Sequence, residues 1–257
     1  MNAAARRWGS DAVARWEGAA SLLAMMILWQ FTAAVAASRW LPPPIEVARL
    51  IWREAIGGEL LPDLAITLAR VAAGLCIALV VGSALGYAAG CSRGLDRWLR
   101  PWLLVLLNIP ALVSVILVYI WLGLTEAALV VAVALNKIPT VAVTIREGAG
   151  RLDRDLSEMA GLYRLPTATR LLQVALPQLL PYLLIAARNG LALTWKVVLV
   201  AELLGRSSGV GFQLQVFFQN FDVGRILAYT AAFTATVFAI EYVLLVPLER
   251  SVNRWRR

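Results

Sequence analysis

Six long apolar stretches run through this chain, and they decide which solvent it can fold in. They lie near residues 19–37, 64–90, 102–123, 126–145, 178–204 and 226–247. A helix needs about 20 mostly apolar residues to cross the hydrocarbon core of a bilayer, and each stretch is about that long or longer. What remains of the 257 residues is too little for a soluble catalytic module. The apolar runs are continuous, without the short alternation that a transmembrane barrel requires. The expectation is an all-α membrane protein with six transmembrane helices, one transmembrane domain covering 1–257.

The net charge of +8 raises the question of nucleic acid, and the placement of the charge answers it. With the N-terminus inside, the inner segments hold Arg6, Arg7, Arg15, Arg93, Arg97, Arg100, Arg146, Arg151, Arg154, Arg164, Arg170, Arg250, Arg254, Arg256 and Arg257. The outer segments hold Arg39, Arg49, Arg53, Arg206 and Arg225. That asymmetry is the positive-inside bias, and it places both termini in the cytosol. Trp16, Trp40, Trp98, Trp102 and Trp255 stand near span ends, as an interfacial belt in membrane lipid would have them. The basic excess is read as topology, with no nucleic acid partner.

Arg6-Arg7, the first apolar run and Ala34-Val35-Ala36-Ala37 mimic a secretory signal with its small-residue cleavage site. The run is longer than a usual signal core, and an uncleaved first span is expected. Cys76 and Cys91 are separated by about 20 Å of helical rise, so they cannot pair within one chain and are read as packing residues. No histidine is present, which removes the commonest general base and metal ligand, and no metal site is expected. There is no Gly-x-x-x-x-Gly-Lys-Ser/Thr loop for a nucleotide. No catalytic residues are expected, and the chain is read as not an enzyme.

Between the spans, Leu41-Pro42-Pro43-Pro44 favours extended backbone, and Ile45–Ile56 reads as a short amphipathic helix along the outer surface. Gly82 and Gly86 form a small-xxx-small face for close helix approach. Cys91–Arg97 reads as a short basic turn, and Gly123–Glu126 as a tight outer hairpin. Pro110 and Pro139 are expected to kink the spans that contain them. Residues 205–224 read as a loop rich in Gly, Ser and Gln.

Ionisable and amide residues within spans are costly unless paired or wet. Asn108, Lys137, Arg188, Asn189, Lys196 and Glu202 are therefore candidates for a cationic translocation path, with Glu202 and Glu241 as available counter-ions. Arg188, Asn189 and Lys196 fall on one helical face. Structural ion pairing between spans is the competing reading. Arg70 either snorkels, bonds a helix-end carbonyl or serves the path. Ser207, Ser208, Gly209, Val210 and Gly211 are either an outer gate loop or a plain polar turn.

From Arg146 to Pro177 the chain is polar, basic and locally helical. Asp155-Leu156-Ser157-Glu158 is a capping-box pattern. Leu165-Pro166 ends that helix, Pro166 suits the first position of the next, and Thr167–Leu176 reads as a second short helix stopping at Pro177. The pair, over 153–177, makes a knob on the cytosolic face. It resembles the signature of permease subunits in binding-protein-dependent ABC importers: Glu-Ala-Ala, a glycine after three intervening residues, then Ile-x-Leu-Pro after nine more. Here Glu158, Met159 and Ala160 fill the opening, Gly161 follows, and Val174, Leu176 and Pro177 fill the close. Arg164 stands at the turn-glycine position, against the left-handed turn that glycine adopts cheaply, and Pro166 is the alternative source of the bend.

Leu41–Pro44, Thr67-x-x-Arg70-x-x-x-Gly74, Ile109-Pro110-Ala111-Leu112 with Trp121-x-Gly123, and Ala201-Glu202 before Ser207–Gly211 are similar to the nitrate/sulfonate/taurine branch of that family. The resemblance implies a type I ABC importer permease fold and a homodimer in the inner membrane. Its partners would be two cytosolic ATPase subunits and an external substrate-binding protein. The chain itself would carry no cofactor, ATP and Mg being held by the ATPase. Residues 158–161, Arg164, Leu176 and Pro177 would couple to the ATPase, Glu158 meeting a basic residue there, although Glu158 also reads as a cap of its own helix. The cargo implied is a small anion such as a sulfonate, taurine or nitrate. An ATP-independent secondary transporter or channel is the alternative, and it leaves the knob unexplained.

Overall fold

The described residues are helical almost throughout, with no strand among them. They are 3–36, 38–245 and 247 of a computed structural model. Arg250 and the Arg254–Arg257 anchor with Trp255 lie outside them. So do Ala37 and the side chains of Arg6, Arg7, Arg15 and Trp16.

Eleven helices follow in order among the described residues: α1 (Ala3–Ala36), α2 (Pro44–Gly57), α3 (Leu60–Cys91), α4 (Arg93–Asn108), α5 (Ala111–Leu122), α6 (Glu126–Ala149), α7 (Arg154–Leu162), α8 (Thr167–Thr169), α9 (Leu176–Gly205), α10 (Val210–Gln219) and α11 (Val223–Ile240). A π-helical stretch, Arg170–Ala175, joins α8 to α9, so Thr167–Gly205 is one continuous rod. α3, α6, that rod and Val223–Val243 are long and apolar enough to cross a membrane. α4 and α5 make a fifth crossing if the pair is one span, and Ala20–Ala36 is a shorter apolar segment.

Four local expectations need correction. The stretch 102–123 is not one kinked helix: α4 and α5 meet at 97°. Pro110 bars the residue before it from helical geometry, and Ile109 (φ −73°, ψ 124°) and Pro110 (φ −57°, ψ 136°) are both extended. Pro139, by contrast, sits inside an unbroken α6. Cys91–Arg97 is no turn, because Ser92 alone separates α3 from α4 and its hydroxyl accepts from the Leu95 N–H at 3.4 Å. The stretch 205–224 contains a ten-residue helix, α10.

The fourth correction concerns the knob, where Pro177 ends nothing. The N–H of Leu176 bonds the carbonyl of Leu171, five residues back. This wider turn carries the helix past the missing N–H of Pro177, which sits in the first turn of α9.

The chain divides into two compact units, residues 1–60 with 216–232 and residues 61–215 with 233–257. In the first, Pro44 starts α2 with a preset φ, and Glu54 pairs with Arg225 at 3.0 Å. α10 ends in a left-handed residue, Phe221 (φ 56°), with Asp222 N–H bonded to the Phe217 carbonyl at 2.9 Å.

The second unit is built on helix pairs held close by glycine. A Cβ on Gly74, Gly82, Gly86 or Gly90 of α3 would fall within 3 Å of Val133, Val141, Ala142 or Ala149 of α6. The small-residue face read from Gly82 and Gly86 thus has α6 as its partner, as close backbone packing in lipid requires. A buried apolar cluster of Val115, Val118, Leu129, Val133, Val198 and Ala201 knits α5, α6 and α9 together.

Candidate functional site

At one end of the second unit, the starts of α3 and α6 meet the end of α9, and Arg70 stands at the junction. Its side chain is 4% exposed. Nε and Nη2 grip Glu126 as a fork, at 2.9 and 2.6 Å. Nη1 donates to Glu202 Oε1 and to the Ser208 carbonyl, both at 2.7 Å, and Nη2 also reaches Ser208 Oγ at 3.1 Å. A guanidinium has five N–H donors, and all five are used. A charge so deep in an apolar chain persists only when paired and fully bonded.

Glu202 is fully buried. Besides Arg70 it accepts from Thr67 Oγ1 at 2.9 Å and from the Gly211 N–H at 2.8 Å. Thr67 Oγ1 in turn accepts from the Val210 N–H at 2.9 Å, and Asp63 Oδ1 from the Gly209 N–H at 2.8 Å. Three successive N–H groups at the start of α10 are therefore capped by side chains from α3 and α9. Those N–H groups lack partners within α10 itself, and carboxylates suit the positive end of a helix.

Gly209 makes this possible, with φ +101° and no room for a Cβ, which would lie 2.5 Å from Glu202 Oε1. Gly211 is equally confined, 2.3 Å from the Leu199 carbonyl. Arg206 extends the network, bonding Glu126 and, at 2.7 Å, the Leu124 carbonyl. Chemically the assembly is a lock: it holds the Ser207–Gly211 segment to α3 and α9.

The structure thus joins residues that the sequence reading kept apart. Glu202 and the Ser207–Gly211 loop belong to one network, and Glu202 pairs with Arg70, not with Lys196. Asp63, Thr67 and Glu126 were not singled out as site residues. Arg70 itself was the available signal, since an arginine inside a span demands carboxylate partners.

The other path candidates are dispersed. Lys137 is buried on α6, 7% exposed. Arg188, Asn189 and Lys196 lie on the exposed face of α9, opposite its buried Ala186, Gly190, Thr194 and Val197. Arg188 pairs with Glu241 at 2.9 Å. Asn108 ends α4, its amide turned back on the Leu104 carbonyl at 2.7 Å.

At the opposite end of α6 and α9 stands the knob. The N-cap of α7 is Asp153, whose carboxylate accepts from the Asp155 N–H at 2.8 Å. It is not Asp155, and Glu158 makes no capping bond. α7 closes with Arg164 in the left-handed region, φ 49°. Leu165 N–H bonds the Ala160 carbonyl and Arg164 N–H the Gly161 carbonyl, both at 3.0 Å, the paired bonds of a Schellman end. The left-handed turn forms despite the arginine. Pro166 then stands just before α8, not at its first position.

Gln178, absent from the expected set, fastens the knob. Its amide donates to the Val174 carbonyl and accepts from the Asp153 N–H, both at 2.9 Å. Only Ala160 of the opening motif is buried. Glu158, Met159, Gly161, Arg164, Leu176 and Pro177 are exposed, and Leu162 and Tyr163 at the tip are 84% and 76% exposed.

With this geometry in hand, comparison with known proteins is direct. Residues 74–257 match the family described as binding-protein-dependent transport system inner membrane component. The putative aliphatic sulfonates transport permease protein of Escherichia coli (strain K12) is 35% identical over 190 residues, 73% of this chain and 72% of that one. Its counterpart from Bacillus subtilis (strain 168) is 29% identical over 234 residues, 90% and 84% of the two chains. A crystal structure of an amino acid ABC transporter with histidines shares the fold at a TM-score of 0.55 and 21% identity, covering 75% of this chain and 93% of that one. This chain belongs to the binding-protein-dependent transport system inner membrane component family, the ABC importer permeases, in its sulfonate/taurine/nitrate branch.

Proposed function

We propose that this chain is the membrane subunit of an ATP-driven importer for small sulfonate-type anions. Two copies enclose the path, a separate cytosolic ATPase drives it, and an external binding protein delivers the cargo. Both termini and the knob face the cytosol in this reading, and ATP and Mg belong to the ATPase.

The observation that carries the reading is the build of the knob. A short helix is capped by Asp153, closed by a Schellman turn and tied at its base by Gln178. Yet it leaves Leu162, Tyr163, Met159 and Glu158 in the open, Glu158 with no partner among the described residues. Exposed apolar side chains on a rigid mount suit a partner surface. A rigid short helix hands a partner's rotation to the rods at its ends, here α6 and α9. Lys137, Arg188, Asn189, Lys196 and Asn108 supply the cationic and amide groups an anion would meet along the path, a role that falls less to Glu202, which is enclosed in the Arg70 lock. The sulfonate cargo rests on the two permease relatives.

The test is reconstitution with the co-purifying ATPase and uptake of a labelled alkanesulfonate into vesicles. Wild type should take up the label only with ATP. A Leu162→Ser, Tyr163→Ser variant should keep its thermal melting point and lose ATPase retention and uptake by tenfold or more. ATP-independent uptake, or full retention by the variant, would refute the coupling assignment.

A further inference from the structure

At the knob end of the second unit lies an open cavity of about 380 Å³, lined by the end of α3, the start of α4 and the end of α6. Ala89 and Gly90 form its apolar floor. Its walls carry four arginines, Arg93, Arg100, Arg146 and Arg151, against two acids, Asp96 and Glu147. Asp96 is already engaged, paired with Arg146 at 3.1 Å. Arg93, Arg100 and Arg151 have no ion pair among the described residues, so their charge is available to an anion.

The depth of the cavity follows from α4. Its first half holds Arg93, Arg97 and Arg100, whereas Leu104, Val105, Leu106 and Leu107 in its second half are exposed. Between them Trp98 and Trp102 are also exposed. Indole rings settle at headgroup level, so the arginines beside them stand where lipid phosphates are. The guanidinium fork matches phosphate oxygens in pairs, and a basic pocket between membrane helices suits an anionic headgroup.

We propose that this cavity binds the phosphate of an anionic phospholipid from the membrane surface on the knob side. The two surplus cations select a lipid with net negative charge over a zwitterionic one. Because α3, α4 and α6 all contribute, the bound lipid pins α4 against α3 and against α6, one of the two rods that flank the knob.

Native mass spectrometry of the full chain, released from phosphatidylcholine–phosphatidylglycerol bilayers, tests this. Phosphatidylglycerol should be retained over phosphatidylcholine. Retention should fall about fivefold per arginine removed, and on the order of a hundredfold in an R93Q/R100Q/R151Q variant. All three residues are exposed, and the triple lysine variant keeps the charge if the glutamine one misfolds; it should retain lipid within a few-fold of wild type. Equal retention of both lipids, or unchanged retention in the glutamine variant, would overturn the proposal. Displacement of the lipid by millimolar inorganic phosphate would assign the site to a free anion instead. Loss of ATPase binding with lipid retention unchanged would make the cavity a protein contact.

Discussion

The two ends of the second unit solve opposite problems with similar residues. At the Arg70 end the two guanidiniums and the two glutamates find their partners inside the chain. Arg70, two glutamates, an aspartate, a threonine and three backbone N–H groups close on each other. At the knob end the backbone is just as well satisfied, by Asp153, the Schellman turn and Gln178, but Glu158, Met159, Leu162 and Tyr163 are left exposed. An end that satisfies its own charges is a lock. An end with a rigid backbone and exposed apolar side chains is, on the function proposed above, a socket. The difference teaches that exposure, more than charge, marks where the chain waits for something else.

The sharpest way to break the comparison is Arg70→Ala. It strands Glu202 in a fully buried site and should cost about 3–5 kcal/mol of stability, read as a large drop in melting temperature of the detergent-solubilised chain. Gly209→Ala comes next. A side chain at φ +101° that also collides with Glu202 should destabilise by about 2–3 kcal/mol, and faster amide exchange across 205–211 would report the loop coming free. If either variant melts like wild type, the lock is not a lock.

At the knob the effects are smaller and of a different kind. Gln178→Ala removes the tie between α7 and the π stretch and should cost about 1 kcal/mol, seen as loss of exchange protection in α7 with the melting temperature almost unmoved. ATP-driven uptake should fall further than this small energy implies, since a loose mount transmits less motion. Arg164→Gly should act in reverse, stabilising the end of α7 by about 1 kcal/mol through relief of the left-handed arginine. Slower exchange at the Leu165 amide, which bonds Ala160, is the check.

Much of this was legible in the residues, for identifiable reasons. The apolar runs, the glycine face and the tight turn at Gly123 (φ 74°) are local or periodic signals. The knob motif could be placed because its spacing is short and its punctuation strong. Arg164 misled, because local preference disfavours the left-handed turn by only about 1–2 kcal/mol. Two backbone bonds and the following Pro166 override that. The Pro177 expectation failed for a similar reason: a π turn absorbs the missing donor, and nothing at Pro177 itself announces it.

The lock was half visible. Arg70 and Glu202 each stood out, since charge within a span is costly, but 132 residues separate them and nothing local says that they meet. The sequence by itself determined the solvent, the helical class, the family and the site of the knob, all of which rest on composition, periodicity or short motifs. Only the tertiary structure decided which charge pairs with which, that α4 and α5 part at Pro110 by 97°, and that the Ser207–Gly211 segment is held fast. Each of these depends on where distant helices come together, and a buried ion pair has no address in the chain until its helices pack.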